Sequence, residues 1–184
     1  MTTPTELVHN LRTPENKRVL DAIEELRARG WLSDGSLSET VLCHVHMQGA
    51  DLSGADLHGV DFHQANLRGA DLGRANLSGT KLSRANLQNA NLSETDFANA
   101  DLFKANFAGA CNLQDKQLAL AKRLLGAIMP DGKTYDGRFN LPGDLDFARW
   151  GSVDINDPQA MADFLRVSLE HYLRGQELGK KVAL

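Results

Sequence analysis

The chain has 184 residues, with 24 acidic against 20 lysine or arginine side chains and a formal net charge of −4, a balance with no pull towards free nucleic acid or an anionic membrane. No apolar stretch approaches the roughly 20 residues of a membrane span, and the opening MTTPTELVHN lacks the basic and apolar regions of a secretory leader. Two cysteines, Cys43 and Cys111, are too few for a disulfide framework and point to reduced thiols in a cytoplasmic protein.

The first predicted element is a helix over TPENKRVLDAIEELRARG. Thr13 is placed as its N-cap, Pro14 in its first turn and Gly30 as its stop. Val19, Ile23 and Leu26 share one face with Leu20 beside it, so residues 1–34 read as a cap for the array that follows.

From Ala50 the chain reads ADLSG ADLHG VDFHQ ANLRG ADLGR ANLSG TKLSR ANLQN ANLSE TDFAN ADLFK ANFAG, twelve five-residue repeats. The central position is Leu52, Leu57, Phe62, Leu67, Leu72, Leu77, Leu82, Leu87, Leu92, Phe97, Leu102 and Phe107, the predicted core. Two residues earlier stands Ala, or else Val60, Thr80 or Thr95, and between them Asp or Asn, except at Lys81. On a helix, five steps of about 100° overshoot a full turn by about 140° and spiral the leucines around every side. In a flat strand an odd period throws alternate leucines to opposite faces. All are buried only if the chain turns a corner once per repeat, with glycine favoured at the fifth position where the backbone bends. The fold class is therefore a β-solenoid.

These residues resemble the pentapeptide-repeat family, whose consensus is A(D/N)LXX. The match is strict over Ala50 to Gly109 and looser through GSLSE, TVLCH and VHMQG, centred on Leu37, Leu42 and Met47. The resemblance implies a right-handed quadrilateral β-helix with four repeats per coil, spanning residues 35–109 in nearly four coils and flanked by N- and C-terminal α-helices. Residues twenty apart would then stack about 4.8 Å apart. Asn66, Asn86 and Asn106 would form an asparagine ladder. Asp61, Lys81 and Asp101 would alternate in sign beside Gln64, Arg84 and Lys104, and these six are the candidate partner-binding strip.

After Gly109 the register breaks. DKQLALAKRLLG, Asp115 to Gly126, reads as a second helix with Leu118, Ala121, Leu124 and Leu125 inward, giving a helical cap over residues 110–129. Residues 130–184 read as an irregular segment carrying Tyr135, Phe139, Phe147 and Trp150, followed by an amphipathic helix. Four aromatics argue that this segment is pinned to its own solenoid or to another copy. Asn156 or Asp157 caps the last helix, Pro158 sits in its first turn, and Met161, Phe164, Leu165, Leu169, Tyr172 and Leu173 form one apolar stripe. The stripe packs either within the chain or in a homodimer, where Met161, Phe164, Leu165, Leu169 and Tyr172 would be the contact.

No phosphate loop, nucleophile elbow or zincin motif is present, and the evenly spaced carboxylates lack a desolvated pocket to separate their pKa values. Cys43, His44 and His63 share a side but His46 and His58 project from others, so no metal or other cofactor is expected. The reading is a non-enzymatic interaction or scaffold module for an unidentified protein partner. The alternative that the resemblance offers is a DNA-mimicking modulator of DNA gyrase. B-DNA carries about one negative charge per 1.7 Å, and an array about 18 Å tall would need roughly ten. Ala50 to Gly109 holds seven acidic against five basic residues.

Overall fold

The computed structural model describes residues 3–182. The repeats wind in coils of twenty residues: parallel bridges join Val41 to Asp61, Asp61 to Lys81 and Lys81 to Asp101, and the same step links His46, Asn66, Asn86 and Asn106 on another side. Each bridge is one residue wide, because the chain turns before a second rung can form, so the described residues hold no extended strand. The central N–H donates to one neighbouring coil (Leu52 to the Asp71 carbonyl, 2.8 Å) and the second-position N–H to the other (Asp71 to the Ala50 carbonyl, 2.9 Å).

Each position of the repeat has a separate physical reason. All twelve central side chains are at most 1% exposed, and the small first-position residues fill the gaps between them. Thr80 and Thr95, the two polar exceptions inside, donate to the Leu77 and Leu72 carbonyls at 2.6 and 2.8 Å. The second position is Asp or Asn because its side-chain oxygen accepts the N–H two residues on, as Asp61 does from His63 at 3.0 Å and Asn106 from Ala108 at 3.0 Å. All eleven Asp and Asn residues of the twelve strict repeats make this bond. Lys81 has no oxygen to offer. The asparagine column thus differs from a ladder: Asn66, Asn86 and Asn106 bridge through the backbone, while their side-chain oxygens turn back onto their own corners. Side-chain bonds between coils occur elsewhere, from Asn76 to Asp56 (3.0 Å) and Asn91 to Asp71 (2.9 Å).

The fifth position has positive φ in all twelve repeats, from +55° at Glu94 to +71° at Gly109, with seven non-glycine residues among them. Left-handed backbone costs a side-chain-bearing residue about 1–2 kcal/mol, partly offset because glycine loses more entropy on folding. Gln64, at φ +56° and exposed, is a clean probe. Gln64→Gly is expected to raise stability by about 0.5–1 kcal/mol in urea denaturation. A loss of stability would contradict this account of the corners.

The N-terminal end is covered by two helices, α1 (Pro4–Leu11) and α2 (Asn16–Ala28), rather than the single one expected. Thr13 is not an N-cap: its hydroxyl donates to the Asn10 carbonyl at 3.0 Å in the turn between them, and Glu15 occupies the N-cap of α2. Val19, Ala22, Ile23 and Leu26 are buried. Gly30, at φ +76°, does end α2: its N–H donates to Arg27 and that of Trp31 to Leu26.

At the other end the winding continues past Gly109. Only α3 (Asp115–Leu118) is helical, so the helix expected to Gly126 stops after one turn. Beyond it Arg123 pairs with Asp101 and Ile128 with Asn106, a step of twenty-two, and Leu124 and Met129 take central positions. The two extra residues are absorbed by α3, which replaces one side of the coil. Residues 128–134 then fold back as an antiparallel hairpin through Gly132, with Tyr135 buried beneath and its N–H donating to Ala127 at 2.8 Å.

The remaining chain forms α4 (Pro142–Trp150), α5 (Pro158–Leu165) and α6 (Leu169–Val182). The segment read as irregular therefore contains a helix. The single amphipathic helix expected after Asp157 is two, broken where Arg166 adopts left-handed backbone at φ +59°. Asp157 caps α5 by accepting from the Gln159 N–H at 2.9 Å. The break lets both helices pack on one patch, where Met161, Ala162, Leu165 and Tyr172 are buried with Leu125 and Ala148.

Candidate functional site

The coil places Asp61, Lys81 and Asp101 in one column, with Gln64, Arg84 and Lys104 exposed at the corner beside it. Lys81 reaches Asp61 at 3.6 Å, and the column gains a fourth member, Arg123, which grips Asp101 with two nitrogens, Nε at 3.0 Å. Burial pushes the Asp101 carboxyl up, but the Arg123 guanidinium and the Phe103 N–H outweigh it and hold the group below the usual carboxylate range. Asp61 is likewise held low against burial, by the His63 N–H, the Cys43 thiol and Lys81. Desolvation, joined by the neighbouring Asp61, raises the Cys43 thiol, the reverse of an activated nucleophile. His44 and His63 meet edge to face with ring centroids 6.0 Å apart, and among the described residues no three His, Cys, Asp or Glu side chains form a metal-holding group.

The column ends at an aromatic cluster. The Arg123 guanidinium lies 4.6 Å from the Phe103 ring centre and the Lys104 ammonium 5.0 Å from it. Phe103 meets Phe147 of α4 at 6.2 Å, Phe147 meets Phe164 of α5 at 6.1 Å, and Trp150 stacks on Phe147 at 5.8 Å with planes 28° apart. Trp150 is 82% exposed. Lys122, Arg123, Gly143, Asp146, Phe147 and Trp150 line an open concavity of about 310 Å³. Gly143 brings α4 close enough for its N–H to reach the Lys122 carbonyl at 3.0 Å.

The aromatics of the tail thus divide. Tyr135 is buried and stacks with Phe139, pinning the segment as expected, whereas Trp150 is presented to solvent. The stripe offered as a dimer contact lies inside the chain's own fold: Met161, Leu165 and Tyr172 are buried, and Phe164 and Leu169 pack partly buried against them. Leu173 faces out, 46% exposed. The register shift at α3 hides from the sequence pattern the place of Arg123 in the column and that of Lys122 beside it. The recurrence of a basic residue twenty-two positions after Asp101 was the available signal.

Wider cavities lie away from this surface. One of about 730 Å³ runs along Ser93 to Asp96 beside α3, one of about 380 Å³ lies between the hairpin and α6, and one of about 500 Å³ lies between Leu120, Phe139 and α6. In the second, Arg138 is committed to Asp136 and Asp115, each at 2.9 Å.

Comparison with known proteins bears on the array. The family model described as pentapeptide repeats matches residues 36–74 and 80–111 in eight copies. HetL, a pentapeptide repeat protein involved in heterocyst differentiation regulation from the cyanobacterium Nostoc sp. strain PCC 7120, is 46% identical over 51% of this chain and 42% of its own, with a TM-score of 0.48. This chain therefore spans under half of HetL. A pentapeptide repeat protein from the Arabidopsis thaliana thylakoid lumen is 23% identical over 70% of this chain and 86% of its own, with a TM-score of 0.43. One from the cyanobacterium Cyanothece 51142 is 28% identical over 40% of this chain and 67% of its own, with a TM-score of 0.36. No curated protein matches the chain.

Proposed function

Because the repeat array of this chain belongs to the pentapeptide-repeat family, we propose that the protein is a non-enzymatic interaction module built on a right-handed quadrilateral β-helix. Its partner-binding surface is the head of the charged column: Trp150 and Phe147 with Lys122, Arg123 and Lys104 around them. The carrying observation is the exposure of Trp150, at 82%, on a ring-on-ring support. An exposed tryptophan held in place by packing is what the centre of an interface requires, since tryptophan and arginine dominate binding hot spots. Enzyme chemistry has no comparable support, because the array's carboxylates are engaged in their own turns and the thiol nearest them is pushed away from thiolate.

A gyrase-directed DNA mimic is not favoured. The column alternates in sign as Asp61, Lys81, Asp101 and Arg123, whereas a duplex presents uniform negative charge.

Affinity capture from a lysate of the source organism tests the reading, with the wild-type chain and Trp150→Ala as paired baits. A protein retained by the first and lost with the second is the expected result. Equal capture by both baits would remove Trp150 from the interface.

A further inference from the structure

We propose that the concavity beside Trp150 binds a short acidic segment of a partner protein, a run of Asp or Glu flanking one large apolar residue. This rests on the reading that Trp150 marks the partner surface, and adds the chemistry of what lands there.

The charge around the patch points one way. Lys122 and Lys104 are exposed, and Arg149 on α4 is 55% exposed with Asp146 as its partner at 2.9 Å. Arg123 is tied to Asp101. Four cations face Asp101, Asp146 and, buried beside Arg123, Asp144, which leaves an excess of one positive charge on a chain whose net charge is −4. One corner down the array, Arg84 is exposed and adds to the same sign. A local basic field on an acidic protein steers and orients an acidic partner. It also argues against a second copy of this chain, because a two-fold dimer would set the same cationic patch against itself.

Shape narrows the occupant further. The concavity, about 310 Å³ and rimmed by a tryptophan left 82% exposed, accepts one side chain rather than enclosing a whole ligand. The apolar residue would lie on the Phe147–Trp150 stack, and flanking carboxylates would meet Lys122, Arg149 and Lys104. The rings are already positioned by Phe103 and Phe164, so little ordering is needed on binding.

The test uses the full chain and a short fluorescein-labelled peptide of glutamates flanking a central phenylalanine, followed by fluorescence anisotropy. Binding with a Kd on the order of 10–100 μM at low salt is expected, weakening several-fold when ionic strength rises to about 0.3 M. The same peptide with glutamines should bind at least about tenfold more weakly. Trp150→Ala should cost about tenfold, and Lys122→Glu combined with Lys104→Glu should abolish binding. All three positions are solvent-facing, so unchanged circular dichroism and melting confirm that the variants fold. Equal binding of the glutamine peptide, indifference to Trp150→Ala, or no binding at millimolar peptide overturns the acidic-segment assignment. If that happens while lysate capture still depends on Trp150, only the partner chemistry is wrong. Loss of both removes the surface as well.

Discussion

Gln117→Glu is expected to cost about 4 kcal/mol of folding stability, more than Gln117→Met at about 2–3 kcal/mol, although it alters the shape of the side chain least. Where α3 replaces one side of the coil, no following rung receives the carbonyls of the coil below. The Gln117 amide fills that role: its nitrogen donates to the Leu92 carbonyl at 2.9 Å and the Thr95 carbonyl at 2.8 Å, while its oxygen accepts the Gln114 N–H at 2.8 Å. The residue is only 7% exposed. Methionine leaves the Thr95 carbonyl and the Gln114 N–H without partners and the Leu92 carbonyl with only the long bond from the Thr95 N–H at 3.3 Å. Each lost partner is a desolvation penalty of about 1–3 kcal/mol softened by local relaxation. Glutamate keeps the bond to Gln114 but turns a donor into a second acceptor facing two carbonyl oxygens, and places a charge where water is scarce. Urea denaturation of the three proteins measures the order wild type, methionine, glutamate. A glutamate variant as stable as wild type would show that the side of the coil at α3 does not depend on this amide.

The same corner shows why some of the fold was legible in the sequence and some was not. The repeat is specified locally: Leu at the centre fills the core, Asp or Asn bonds the N–H two residues on, and the fifth residue accepts left-handed backbone, so each five residues carry their own instructions. Stacking then follows from the four repeats per coil that the family resemblance implies, which is why the column of Asp61, Lys81 and Asp101 could be placed in advance. Leu124 and Met129 obey the same inward rule but stand behind the two-residue insertion at α3, and LALAKRLL reads as well for a helix as for two irregular corners. The capping box Thr3–Glu6, with the Thr3 N–H bonded to Glu6 at 2.8 Å, was a local sign of α1. Helix α4 carried a weaker sign, Pro142 at its start and Asp144 in its first turn, without a capping box. Its N-cap, Leu141, has no side-chain bond to offer, and its first turn is held by groups distant in sequence. Trp150 owes its exposure to that docking, so neither hydropathy nor spacing separates it from Tyr135, an aromatic of the same segment that is fully buried.

The docking of α4 should strengthen as the solution is made mildly acidic, through Asp144. This carboxyl, 3% exposed, accepts the N–H groups of Leu124 (3.1 Å) and Leu125 (2.8 Å), which join α4 to the last coil. Burial pushes its pKa up to about 6, against the pull of those two N–H groups and of Arg123, and with a smaller push from Asp101. A folded-state pKa above the unfolded value means that the folded protein binds the proton more tightly. The stabilisation from this group is therefore fully present below about pH 4 and is lost as pH rises through about 6. By the constant of 1.36 kcal/mol per unit, the difference is on the order of 3 kcal/mol. Asp144→Asn keeps an oxygen for both N–H groups and removes the charge. It should match or exceed wild type at pH 7.5, lose that advantage near pH 4.5, and flatten the pH dependence of melting over this window. Asp144→Ala strands two buried N–H groups and should lose about 2–4 kcal/mol near pH 4.5, a deficit that shrinks towards pH 7.5 as the wild-type carboxylate becomes charged. A wild-type protein whose stability falls between pH 7 and pH 5, with the asparagine variant falling in parallel, would show that Asp144 is not the titrating contact. Because α4 carries both Phe147 and Trp150, the same titration followed by Trp150 fluorescence, in a variant with Trp31 replaced by Phe, would report whether the aromatic surface stays seated on Phe103 when the carboxylate is charged.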